Sequence, residues 1–176
     1  SYAERLFDFP LIGALPPEKA REALSKPATS EGVEFEPDAL DYIVRKTEGY
    51  PYFLQEWGKH AWDVATQSPI TLNDCEQASS TAIAALDASF FRVRFDRLTP
   101  SEKRYLRAMA ELGGGPHRTG DVADTLQRTS QSLAPTRAKL IGKGMIWSPN
   151  HGSTAFTVPL FDRYMHRIMP EFSHES

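Results

Sequence analysis

Cysteine is almost absent from this chain. Its one residue, Cys75, can neither close an intrachain disulfide nor build a cysteine zinc site, and it favours a reducing, cytoplasmic setting. Long apolar runs are missing too. None approaches the roughly 20 consecutive apolar residues that a bilayer span needs, so no membrane partner is expected. Ser1 to Pro10 carries Glu4 and Asp8 and lacks the apolar centre of a signal peptide. The first residue is Ser1 rather than Met, which points to a piece cut from a longer polypeptide.

Catalytic patterns are equally scarce. No Gly-rich loop ending in Lys and Ser/Thr occurs, so the chain is not expected to hydrolyse ATP by itself. The closest cluster, Gly113-Gly114-Gly115-Pro116, lacks the lysine, follows a helix rather than a strand and reads as a linker. His60, His117, His151, His166 and His174 are scattered without zinc-ligand spacing, so no metal site is expected. No nucleophile elbow is present, and Glu34 and Glu36 read as solvated surface beside a helix start. The expectation is a non-enzyme that holds no cofactor within this chain.

A strong excess of either charge is also missing. The 176 residues carry 20 Lys+Arg and 23 Asp+Glu, a formal net charge of −3. The distribution is uneven, however. Residues 1–95 hold 9 cationic and 15 acidic side chains, whereas residues 96–176 hold 11 and 8. An acidic first half and a mildly basic second half suggest two modules with different partners.

What the chain does have is helical periodicity with clear punctuation. Glu4 to Ile12 alternates and reads as an extended segment. Pro16-Pro17 opens a short helix through Leu24, which Pro27 and Gly32 close. Pro37-Asp38 starts a second helix that Arg45-Lys46 and Gly49 end. Pro51 starts a third, with Phe53, Leu54, Trp57, Ala61, Trp62 and Ala65 as an apolar stripe, ended at Ser68-Pro69. Asn73 to Arg97 lacks Gly and Pro and predicts one long helix. Residues 1–97 thus form a four-helix bundle with an N-terminal extended segment.

The second half, residues 98–176, has a more specific pattern. Thr99 caps a helix with Pro100 in its first position and Glu102 three residues after the cap. Tyr105, Leu106, Met109, Ala110 and Leu112 supply its buried face. A short helix over Asp121–Leu126 and a turn at Gln127-Arg128-Thr129 follow. The next helix, Ser132 to Lys143, points Leu133, Leu140 and Ile141 inward and keeps Pro135 near its first turn. Met145–Ser148 and Thr154–Val158 make a hairpin around Asn150-His151-Gly152-Ser153, and Leu160–Met169 is a last helix. Helix, helix, turn, helix, hairpin is the winged-helix order, giving a mainly α fold: a helical bundle followed by a winged-helix domain.

In that arrangement the third helix is the recognition helix. It presents Gln131, Ser132, Thr136, Arg137 and Lys139, with Arg128 just before it and Lys143 at its end. Gln and Arg can make paired hydrogen bonds to adenine and guanine, Lys neutralises phosphate, and Arg118 reaches the backbone from the preceding helix start.

Tyr2-Ala3-Glu4-Arg5-Leu6-Phe7, the helix pair joined at Glu48-Gly49-Tyr50-Pro51 and the closing winged helix together resemble the C-terminal part of AAA+/STAND-type ATPases of the archaeal-ATPase and origin-recognition-like group. The likeness runs from Tyr2 to Pro170, and the segment from Lys143-Gly144-Met145-Ile146 through Phe156–Asp162 is similar to the family's wing and closing helix. The resemblance implies a helical lid at residues 1–97 attached to an ATP- and Mg-binding core elsewhere in the full-length protein. It also places Gly49, Tyr50 and Pro51 near the nucleotide. Many such lids carry a sensor arginine just after this turn; here Tyr52 and Phe53 stand instead, as fits the STAND-like branch.

Two functions follow. One is a regulatory C-terminal fragment that couples the nucleotide state of the core to a winged helix contacting protein (its own ATPase core or another) or duplex DNA. The alternative is a stand-alone winged-helix DNA-binding transcriptional regulator.

Overall fold

The computed structural model describes residues 13–172, so the extended segment at Glu4–Ile12 and the Tyr2–Phe7 string lie outside the described residues. The chain is mainly helical with one small antiparallel sheet. It divides into two compact units between Ile83 and Ala84, upstream of the 97/98 boundary drawn from the sequence.

The first unit contains α1 (Pro17–Ser30), α2 (Pro37–Thr47), α3 (Pro51–Val64) and the first part of α4 (Leu72–Leu86). Each of α1–α3 begins on a proline, where the missing amide costs no hydrogen bond and the fixed φ suits the first turn. Ala20, Ala39, Ala61, Ala78 and Ala82 are fully buried, so the helices meet through small side chains. Around them pack Ile43, Phe53, Leu54 and Trp57, each contributing roughly 1.5–3 kcal/mol by leaving water. The indole of Trp57 donates to Ser79 Oγ at 3.1 Å, that hydroxyl lies 2.9 Å from Tyr42 Oη, and it donates to the Cys75 carbonyl at 3.1 Å. One serine on α4 thus satisfies a buried tryptophan. A parallel bridge between Phe35 and Ile70 closes the two longer loops.

Three expectations in this unit need correction. Pro27 does not close α1 but sits inside it, because it lies in the last turn, where only one internal hydrogen bond is forfeited and the helix runs on to Ser30. Helix α3 stops at Val64, well before Ser68-Pro69. Trp62 belongs to the predicted stripe yet is 39% exposed. It lines a groove of about 410 Å³ with Leu24, Pro27, Ala28, Leu54 and Gly58, instead of entering the core.

The second unit starts within α4. The predicted long helix is continuous, but it widens into a π-wound turn at Asp87–Phe91 before α5 (Arg92–Phe95). There Ser89 Oγ donates to the Ala85 carbonyl at 2.7 Å, a back-bond that competes with regular winding. Phe91 and Phe95 are directed inward and pack on Tyr164 of the last helix, with ring centroids 5.1 and 5.8 Å away. Asp87 receives both the Nε and Nη2 of Arg167 at 2.7 Å, a bidentate pair.

The remaining elements are α6 (Pro100–Glu111), β1 (His117–Arg118), α7 (Thr119–Thr125), α8 (Ser130–Gly142), β2 (Ile146–Trp147), β3 (Ser153–Phe156) and α9 (Phe161–Ile168). The sheet order is β1-β3-β2, all antiparallel, pairing His117 with Thr154, Arg118 with Ser153, Ile146 with Phe156 and Trp147 with Ala155. This is a winged-helix-like order. The Thr99 capping box forms as its sequence spells it: Thr99 N–H donates to Glu102 Oε2 at 2.8 Å and Glu102 N–H to Thr99 Oγ1 at 3.4 Å. Buried Arg107 holds α9 to α6, its Nε donating to the Met169 carbonyl at 2.7 Å.

Leu112 and Ile141, expected inside, are each 38% exposed. Leu112 lies beyond the last turn of α6, and Ile141 follows Leu140, which takes the single inward position of that turn. Pro135 is the sixth residue of α8 rather than a first-turn residue, since the helix starts two residues earlier than expected. β1 was not foreseen at all: two residues long, it has no periodicity to read, and Arg118 belongs to it rather than to α7.

Candidate nucleic-acid interface

The helix-turn-helix pair is built by local rules. Thr119 anchors the start of α7 on the wing tip, its amide and hydroxyl both donating to the Gly152 carbonyl, at 2.9 and 3.0 Å. Helix α7 ends at Thr125 with Leu126 as its C-cap, and Gln127 turns the chain with φ +53°. Thr129 then caps α8: its Oγ1 accepts from Ser132 N–H at 3.2 Å, and the Ser132 hydroxyl returns a bond to the Thr129 carbonyl at 2.8 Å. Val122, Ala123, Leu126, Leu133 and Leu140 are buried and set the pair against α6, which leaves the opposite face to solvent.

That solvent face carries Arg118, Arg128, Gln131, Ser132 and Lys139, all exposed, with Thr136 half-buried. Ser132, Thr136 and Lys139 follow each other at helical spacing along one stripe of α8, and Lys143 caps its end. Arg128, Ser132 and Thr136 converge on a cleft of about 100 Å³ that is completed by Ser101 and Arg104 of α6. Ser101 and Arg104 were missed at the sequence level, because nothing in α6 itself shows which of its outer residues face the turn. Arg118 stands apart from this group, on β1 beside Ser153.

Two of the predicted partner-facing cations are engaged inside the unit. Arg137 is half-buried, and its Nη2 donates to the Ser153 carbonyl on β3 at 2.9 Å. Lys143 reaches back to α6, donating to Glu102 Oε2 at 2.6 Å and to the Arg97 carbonyl at 2.9 Å. Burial alone would raise the Glu102 carboxyl, but the bonds from Lys143 and from Thr99 outweigh it and hold the group below its ordinary value. The outward cations of the motif are therefore Arg118, Arg128 and Lys139, against the exposed carboxylates Asp121 and Asp124. Electrostatic attraction from this face is modest.

The wing is compact and carries no Lys, Arg, Asp or Glu at its tip, Asn150–Ser153. Asn150 N–H donates to Ser153 Oγ at 3.0 Å, Ser153 N–H to the Asn150 carbonyl at 3.1 Å, and Gly152 takes φ +76°. The Ser148 hydroxyl lies within hydrogen-bond reach of the Asn150 and Ser153 carbonyls, at 2.8 and 3.0 Å. His151 and Trp147 are exposed on the hairpin.

Gly49, Tyr50 and Pro51 lie in the first unit, where Gly49 ends the α2 turn with φ +71°. Its amide donates to Thr47 Oγ1 at 3.3 Å, the Tyr50 amide donates to the Thr47 carbonyl at 3.0 Å, and Pro51 has no amide. The Gly49 and Tyr50 amides are thus both engaged within the turn. Among the described residues, no group of three or more His, Cys, Asp or Glu side chains comes together to hold a metal ion. No helix of the described residues is long and apolar enough to cross a membrane.

A family described only as a domain of unknown function (DUF8462) matches residues 88–165, from the π-wound turn into α9. Over 126 residues, 70% of this chain, the sequence is 26% identical to an uncharacterized HTH-type transcriptional regulator of Methanocaldococcus jannaschii. The aligned part is 30% of that relative, so the chain spans about a third of the protein that it resembles, and the similarity is to a helix-turn-helix regulator.

Proposed function

We propose that the second unit is a duplex-DNA-binding winged-helix module of a transcriptional regulator. The observation that carries this reading is the exposed N-terminal half of α8, with Gln131 and Ser132 at its start, flanked by Arg128 before it and Lys139 along it. The similarity to an HTH-type regulator supports the same reading. Helix α8 enters the major groove by its first turns, Gln131 meets base edges, and Arg118, Arg128 and Lys139 meet phosphates. Three phosphate contacts correspond to a slope of log affinity against log salt of about −2.7, a weak grip for one copy of the chain.

The test is fluorescence anisotropy of a labelled duplex titrated with the chain at about 50 and 200 mM salt. Binding at low salt that falls with that slope, and that weakens in Arg128→Ala and Lys139→Ala, supports the proposal. Absence of binding at low salt refutes it.

A second reading comes from the AAA+/STAND resemblance: the first unit acts as a lid on a nucleotide-binding core, and the winged helix docks on protein. What favours it is the order of elements, a helical unit with a Gly-Tyr-Pro turn followed by a winged-helix-like one. The closed hydrogen bonding of Gly49 and Tyr50 limits any contribution of this turn to packing against the nucleotide or core. Backbone NMR shifts at Gly49–Tyr52 on addition of ATP, ADP or the purified core protein test it, and silence in all three titrations counts against it.

A further inference from the structure

Arg137 sits on the proposed recognition helix, yet its guanidinium turns back toward the sheet. Its Nη2 donates to the carbonyl of Ser153, the first residue of β3, at 2.9 Å. The Ser148 hydroxyl reaches the same carbonyl at 3.0 Å, so one backbone oxygen collects side chains from α8 and from the end of β2. Ser153 is also the partner of Arg118 across β1, and its hydroxyl and amide knit the wing tip. The Nε of Arg137 is buried without a partner, and Tyr105 Oη on α6 and Thr154 Oγ1 on β3 are buried as well. Burial raises the Tyr105 phenol, and the Arg137 charge and the Thr154 hydroxyl pull it back in part.

We infer that Arg137 is a positioning residue that latches the wing hairpin to α8, rather than a contact to a partner. The inference for DNA rests on the winged-helix reading above; the latch itself rests only on this geometry. The latch needs a planar fork. One arm of the guanidinium spans to Ser153 while its Nε is buried alongside, and the single ammonium of lysine cannot occupy both positions. In the DNA reading the wing then meets the duplex at a fixed angle to α8, and Arg137 contributes to affinity without releasing a counterion.

The experiment compares wild type, Arg137→Ala, Arg137→Lys and Lys139→Ala in the full chain by amide hydrogen exchange and by duplex titration across salt. The latch predicts exchange at Ser153 and Thr119 at least about tenfold faster in both Arg137 variants, and unchanged in Lys139→Ala. It also predicts weaker duplex binding by both Arg137 variants with the wild-type salt slope, against a slope reduced by about 0.9 for Lys139→Ala. Wild-type exchange in Arg137→Lys overturns the latch, and so does a slope reduced by about 0.9 in Arg137→Ala. Should Arg137→Ala unfold, Arg137→Lys decides alone. Should wild type bind no duplex, the DNA reading fails while the exchange measurement still decides the latch.

Discussion

The Leu15 amide donates to the Gly49 carbonyl at 2.8 Å, and the two backbones are so close that a Cβ on Gly49 would stand 2.6 Å from the Leu15 carbonyl oxygen. Gly49 also holds φ +71°. Both conditions exclude a side chain. Gly49→Ala is expected to destabilise the first unit by about 1–3 kcal/mol from the backbone strain alone, with the collision adding to it. Urea unfolding followed by Trp57 emission, in a background where Trp62 and Trp147 are phenylalanine, measures this. A midpoint equal to wild type refutes it.

Glu102 is 1% exposed and shares its Oε2 with Lys143 and the Thr99 amide. Replacing Lys143 by methionine leaves that buried carboxylate short of its charged partner. The expected loss is about 1–3 kcal/mol, toward the lower end because Lys143 is itself about a third exposed and water screens part of the attraction.

The same pair sets a pH dependence. The folded Glu102 carboxyl titrates below its ordinary value, so its contribution to stability is complete above the unfolded carboxylate pKa of about 4.3. It is lost as pH falls through the lower folded value. Acid unfolding followed by Trp147 should show this limb in wild type, and a flatter one in Lys143→Met. Identical acid profiles in the two chains rule out the link.

Cys75 is fully buried on α4, and burial, followed by neighbouring carboxylates led by Asp74, pushes its thiol up to about 12. Its thiolate is therefore scarce at neutral pH, and its sulfur is covered. A thiol-reactive disulfide reagent should label the native chain only as fast as the first unit opens, and added urea should accelerate labelling. Immediate stoichiometric labelling at pH 8 without denaturant contradicts the packing.

Ser79 accepts the Trp57 indole proton and stands beside Tyr42 Oη. Ser79→Ala strands a buried indole N–H, at a cost of about 1–3 kcal/mol. Thermal unfolding of the first unit reports it, and a red-shifted Trp57 emission in the variant would show water entering in place of the hydroxyl. An unchanged melting temperature excludes Ser79 as the hub.

The sequence makes much of the helical frame readable, for physical reasons that can be named. Pro17, Pro37, Pro51 and Pro100 mark helix starts because their chemistry is local, and the Thr99–Glu102 spacing carries its own hydrogen bonds. Pro27 misleads because the last turn of a helix tolerates a proline, and Pro135 because its depth within α8 depends on a start set by the Thr129 cap. β1 is invisible because its two residues owe their conformation to β3, far along the chain. The exposed set on α8 was legible from spacing, but the inward turn of Arg137 and the backward reach of Lys143 were not. Each is settled by a carbonyl or carboxylate that is distant in sequence.

The strand order also governs the timing of synthesis. Both outer ribbons pair only with β3, the last of the three to be made, so neither has a hydrogen-bonding neighbour until Ser153–Phe156 has left the ribosome. Helices α6 to α8 can wind earlier, but the sheet closes only after β3 has been made. A nascent chain stalled before Ser153 therefore carries a helix-turn-helix without its brace.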